Sequence, residues 1–355
     1  MVLFGLRGVG SGNACLPVVD IFMAEGIPVS VYAEEPAYGR FKDRYLFISE
    51  CKMDDLLDSI EPSLVVVTSA AVGGAVPVDM TNKAKERNLP VVLVEDMWAS
   101  HSSFNWSLLP NGVCVIDEFA KGLILRSWPD YPESHIHITG APVFDKFVDI
   151  ETESAKYKLR EVLDLHENWP VIFFTGENWG MTQAISMFVE SLNSLDVPAY
   201  LILRDHPTII SPKAPDEYKQ IYREYHAALK NLKIGTIVDS SQLTSDEVNA
   251  GSDIVVGICS TMLTEACYLR KSVLNIWTPE IGQILFEKAG NTFAELPITN
   301  LGASFKAQSA GEIMSYFQKI FAGDTAAMFQ SQQKHFRADG LSGRRVAEAI
   351  LKYYI

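Results

Sequence analysis

Residues 1–33 read MVLFGLRGVGSGNACLPVVDIFMAEGIPVSVYA. The apolar run over 1–6 predicts a strand, and Gly8-Val9-Gly10-Ser11-Gly12-Asn13 predicts a Gly-rich turn. A helix is expected over 16–25 and a second strand over 28–33. The motif recurs. Apolar, β-rich runs follow at 64–68, 91–94 and 113–116, with helical patterns such as 80–87 between them. Short, uniformly apolar strands alternating with helices imply a parallel sheet covered on both faces.

The alternation pauses after Gly140-Ala141-Pro142, where the charged segment 145–167 contains an expected helix over 154–165. It restarts after Pro170, with strands expected over 171–175, 199–203, 234–238, 253–256 and 272–276. The chain therefore reads as α/β, with two doubly wound, Rossmann-like domains over 1–150 and 151–355 facing across a cleft. The last helical stretch, 344–354, can pack back on the N-terminal domain. Ligands are expected outside the carboxyl ends of the strands.

Composition agrees with a globular, two-domain chain. It has 355 residues, 48% of them hydrophobic and 21% charged, which argues against disorder. The formal charge of −14 repels phosphate backbones, so nucleic acid is not an expected partner. Cys15, Cys51, Cys114, Cys259 and Cys267 form no CxxC pair, which argues against a disulfide framework and a structural zinc site. The start of the chain lacks signal-peptide features, and no apolar stretch reaches membrane-span length. A cytoplasmic protein with reduced thiols is expected. Peripheral membrane attachment and oligomeric state stay open.

Four motifs carry candidate chemistry. Gly8 to Asn13, at a helix start, brings Gly10, Gly12 and Asn13 close to an anion. Its spacing is not the dinucleotide fingerprint, although Glu34-Glu35 ends the second strand. Arg204-Asp205-His206-Pro207 ends an apolar strand with a planar guanidinium fork for phosphate and a titratable imidazole. Gly257-Ile258-Cys259-Ser260-Thr261 opens a helix with hydroxyls and free amides, and Glu265 follows one turn on, within reach of a ribose beside a bound phosphate. Gly176, directly after the strand over 171–175, is taken with this donor-side set. Glu95-Asp96-Met97-Trp98, with His101 nearby, places carboxylates at a strand end where one can act as a general base. His135 and His137 alternate on an expected strand and read as packing or surface residues. With no HExxH or DxD pattern, no metal is expected.

Taken in order, these residues resemble the two-domain glycosyltransferase architecture called GT-B. Residues 8–29 are similar to the Gly-rich loop and first helix of the peptidoglycan lipid-linked N-acetylglucosaminyltransferase. Ile138-Thr139-Gly140-Ala141-Pro142-Val143 looks like the end of a GT-B N-domain. The block from Asp246 through Asp253 to Ala266 resembles the nucleotide-binding half, and is also similar to that of the UDP-N-acetylglucosamine 2-epimerases. Arg204 to Pro207 is similar to the RxHP of glycerophosphate-polymerising transferases.

The resemblance implies a nucleotide-sugar donor as substrate, no cofactor, and an acceptor of unspecified class: glycan, lipid or small molecule. Ser260 and Thr261 would hold the donor phosphate, Glu265 its ribose, and His206 would sit against the donor phosphate or the leaving oxygen. Gly10 to Asn13 would face phosphate or acceptor. Several relatives carry His where this chain has Asn13, and an amide does not titrate. The base of an inverting reaction then falls to Asp96, with His101 next. Two other readings stay open. One is an epimerase or hydrolase of the donor itself, using Asp96, Glu118, Glu177 and His206. The other is a non-catalytic sugar-nucleotide-binding scaffold.

Overall fold

The computed structural model describes residues 1–69, 76–195, 197–233, 235–289 and 293–354. The chain forms two compact units, Met1–Val148 with Ala338–Ile355, and Asp149–Arg337.

Unit 1 is built on β1 (Val2–Leu6), β2 (Val29–Ala33), β3 (Leu64–Thr68), β4 (Val91–Val94), β5 (Gly112–Val115) and β6 (Ile136–Ile138). They form one sheet in the order β2-β1-β3-β4-β5-β6, parallel throughout. Every residue of β1, β3, β4 and β5 is buried, because helices cover both faces and no strand face meets water. The sheet's direction of winding reverses between β1 and β3, so its crevice opens at their carboxyl ends.

Unit 2 follows the same logic with β7 (Val171–Thr175), β8 (Ala199–Arg204), β9 (Gly235–Ile237), β10 (Ile254–Gly257), β11 (Ser272–Ile276) and β12 (Phe305–Ala307). The order is β12-β11-β10-β7-β8-β9, again all parallel. Here the reversal lies between β7 and β10. The two six-stranded parallel sheets with their helices are the α/β architecture expected from the alternation. Ile234, the expected first residue of β9, lies outside the described residues. Strand β12 has only three residues, too few to show a period, and sequence reading missed it.

The Gly-rich segment is corrected most. It is not a turn: the first helix runs Val9–Ala24 and takes in Gly10, Gly12 and Asn13. Gly8 is its N-cap, and the Ser11 hydroxyl accepts from the Gly8 amide at 3.1 Å. Glycine costs up to ~1 kcal/mol in a helix, but close neighbours require it here. A side chain on Gly12 would enter the Phe41 ring, and one on Gly10 would sit 2.7 Å from Asp96 Oδ2.

The last helix, Ser342–Leu351, places Val346, Ala347, Ala349 and Ile350 in one core with Leu16, Val19 and Phe22. The Asp145 carboxylate accepts from the amides of Ser342 and Gly343 at 2.9 and 2.7 Å, satisfying donors that a helix start leaves open. Among the described residues no helix is long and apolar enough to cross a membrane.

Candidate functional site

In unit 2 the loops leaving β7 and β10 flank the point where the strand order reverses, the usual ligand position in a doubly wound sheet. Both loops depend on glycine. The Gly176 amide donates to the Arg204 carbonyl at 2.7 Å. A Cβ there would lie 2.5 Å from that oxygen and 2.8 Å from the His206 amide nitrogen. A Cβ on Gly257 would collide with the Thr175 hydroxyl.

The β10 loop leads into the helix Thr261–Tyr268, whose N-cap is Ser260. The Ser260 hydroxyl accepts from the Met262 amide at 3.3 Å. The loop carbonyls are tied back by Asn275, whose Nδ2 donates to Ile258 at 2.5 Å and to Gly257 at 3.4 Å. With the carbonyls turned away, the loop presents the helix start. Asn249 Nδ2 secures the same turn from below, donating to the Met262 carbonyl at 3.0 Å. Neither asparagine entered the sequence reading. The signal was present, since Asn275 is the polar residue within the otherwise apolar Val273–Ile276 run of β11. Glu265 is buried at 5% exposure, one turn inside this helix, while Ser260 is half-buried and Thr261 is exposed.

The β8 exit supplies the imidazole. His206 Nδ1 accepts from the Thr208 amide at 3.2 Å, which leaves the proton on Nε2. Burial lowers its pKa, so it stands as a neutral N–H donor. Arg204 donates through Nη2 to the carbonyls of Ser240 and Leu243 at 2.6 and 2.5 Å, which braces the 240–243 loop. Its Nε and the Asn178 Oδ1, at adjacent strand exits, are buried without hydrogen-bond partners among the described residues. Buried polar atoms left over in this way are uncommon in folded proteins. Glu177 lies in the β7 loop, and burial pushes its carboxyl to about 7 against a backbone hydrogen bond at Asn178.

In unit 1, Asp96 follows β4 and lies against Gly10 at the start of the first helix. Its Oδ1 is buried with no partner among the described residues. Burial, with a smaller push from the neighbouring Glu95, raises its carboxyl to about 7 against the downward pull of the Ser100 hydroxyl. Asn13 is exposed on the first helix, beyond the buried Gly12.

His101, the second candidate base, is fully buried, with Nδ1 2.6 Å from Glu95 Oε1 and Nε2 2.9 Å from the Ser127 hydroxyl. Both ring nitrogens are engaged, so the ring holds Glu95 in place behind Asp96. Glu34 is held by Arg7 at 2.9 Å and by the Tyr32 hydroxyl at 2.8 Å. Glu118 is exposed on the helix that Asp117 caps through the Ala120 amide at 2.7 Å. His137 contacts the Tyr353 hydroxyl at 3.0 Å, a packing contact.

No family model matches the chain, and no curated protein sequence matches it. Solved structures do. The UDP-GlcNAc 2-epimerase of Neisseria meningitidis, bound to UDP-GlcNAc, is similar with a TM-score of 0.69 at 13% identity, over 99% of each chain. A glycosyltransferase from Rickettsia africae gives 0.64 at 15% identity, over 99% of this chain and 98% of that one. MurG of Acinetobacter baumannii gives 0.62 at 13% identity, over 99% of both. At these identities the likeness is one of fold: the chain has the α/β fold of the GT-B and epimerase-like proteins.

Proposed function

We propose that the protein is a nucleotide-sugar-dependent glycosyltransferase with the helix start at Ser260 as its donor site and Asp96 as its general base. The observation that carries this reading is Asp96, a carboxyl poised near neutrality with one oxygen lacking a partner among the described residues. A general base works best with a pKa near the working pH. In unit 2, the helix start behind Ser260 and Thr261 takes the donor's diphosphate, and Glu265 takes its ribose. As the glycosidic bond breaks, negative charge grows on the diphosphate. The loop amides, the Ser260 hydroxyl and the neutral His206 Nε2–H stabilise it from fixed positions.

Two substitutions test the donor half. Glu265→Ala is expected to weaken nucleotide binding about tenfold, which corresponds to about 1.4 kcal/mol. Isothermal titration with UDP or UDP-GlcNAc measures this, and an unchanged dissociation constant removes Glu265 from the ribose. His206→Ala is expected to lower turnover roughly 10²-fold, the scale for losing one oxyanion donor, with an unaltered circular dichroism spectrum. Wild-type turnover in that variant excludes the imidazole.

Glu177 favours a second reading, epimerisation or hydrolysis of the donor itself, because it is another carboxyl held near 7 and such chemistry uses several acid–base groups. Incubation with UDP-GlcNAc alone, followed by NMR, separates the two. A donor that stays intact until acceptor is added supports transfer, whereas conversion without acceptor supports the second reading. If none of UDP, CDP, CMP, GDP or ADP raises the melting temperature, both readings fail, since a bound ligand stabilises by mass action.

A further inference from the structure

At the amino ends of β10 and β11, unit 2 carries a recess of about 320 Å³. It lies at the opposite end of these strands from the Ser260 loop. Three of its lining residues are cationic, namely Lys156, Arg270 and Lys271. This runs against the chain's formal charge of −14.

Lys271 is the unusual member, at 3% exposure. Its backbone is fully used: the amide donates to the Ala266 carbonyl at 2.9 Å, and its own carbonyl accepts from Gln332 Nε2 at 2.9 Å. Its ammonium makes no hydrogen bond or ion pair with any described residue. An unpaired buried charge is costly, and native proteins pair it, neutralise it or place it against a ligand. Burial and, to a lesser degree, repulsion from Lys156 lower the Lys271 pKa to about 8, against the opposing pull of Asp253 and Glu153.

The two carboxylates at the recess do not supply the missing partner. Asp253 Oδ2 is held by Arg160 and the Val171 amide at 2.8 and 2.9 Å, and its Oδ1 faces Lys156 at 3.3 Å. The Glu153 side chain is 77% exposed and lies 3.6 Å from Lys156. Arg270 directs Nη1 to the carbonyls of Cys267, Gln332 and Phe336, which anchors its guanidinium while its other nitrogens remain as donors. Thr152, Ser272 and Thr325 also line the recess.

We propose that this recess is a binding site for a small oxyanion, a phosphate or carboxylate group borne by a small molecule, with Lys271 as its principal cation and Lys156 at its rim. The inference does not rest on the nucleotide-sugar reading, since it uses none of the same residues.

The test is thermal unfolding of the full chain and of Lys271→Met in inorganic phosphate, and separately in succinate, against chloride at matched ionic strength. Without added anion the variant is expected to be at least as stable, because a poorly solvated charge is gone. The wild type is expected to rise in melting temperature with one or both anions, with apparent affinity at least tenfold tighter than in Lys271→Met. Glu265→Ala, altered at the other end of the sheet, is expected to keep the wild-type response. Equal responses in wild type and Lys271→Met, or none in either anion, overturn the proposal. Should Lys271→Met fail to fold, Lys156→Gln at the rim must weaken the response, and an unchanged response overturns the proposal equally.

Discussion

Asp96→Asn is expected to lower turnover by roughly 10²–10⁴-fold, the range for removing a positioned general base, while nucleotide affinity stays at the wild-type value. The asparagine side chain matches the carboxyl in shape, so Gly10 can still approach it. What is lost is the ability to take a proton. The pH profile carries the sharper test. A base must be deprotonated to act, so wild-type kcat/KM is expected to rise with pH through about 7, where Asp96 titrates, and the residual activity of the variant is expected to lose that limb. Stability moves the other way. The folded state holds this proton up to about 7, and the unfolded chain releases it near the ordinary carboxylate value. Folding is therefore favoured below that value, and this contribution is lost as pH rises towards 7. At pH 8 the variant is expected to unfold at higher urea than the wild type. A variant with full turnover, or one that keeps the acidic limb, removes Asp96 from catalysis.

Gly176→Ala is the other substitution with a large expected effect, and it acts through backbone. The added methyl would meet the Arg204 carbonyl oxygen and the His206 amide, and neither can rotate away as a side chain can. The exits of β7 and β8 have to separate, which breaks the Gly176–Arg204 hydrogen bond and displaces His206. Overpacking of this kind costs about 1–3 kcal/mol. Urea unfolding is expected to show that loss, and titration a nucleotide affinity at least tenfold weaker. Wild-type stability together with wild-type affinity would mean that the two strand exits do not have to lie so close.

The residues at the strand ends were open to sequence reading because apolar runs end abruptly there. Ser260, Thr261, His206 and Asp96 each follow such a run, and the parallel topology carries all of them to carboxyl ends. Their duties were not open to it. Arg204 and His101 have the residue types of an anion fork and a base. One supplies donors to the carbonyls of Ser240 and Leu243, and the other is enclosed between Glu95 and Ser127. A side chain's chemistry is local, but whether it is spent internally depends on neighbours distant in the chain.

Glycine shows the same limit. At Gly8 to Asn13 a run of glycines suggested a turn, because glycine weakens helices. Phe41 and Asp96, far along the chain, are what make small residues necessary in the first helix. Two parallel α/β sheets followed from local pattern alone, since a short strand with no polar face can only be buried on both sides. The raised pKa of Asp96, the enclosure of His101 and the burial of Lys271 are decided by packing, because desolvation is a property of the surroundings and not of the residue.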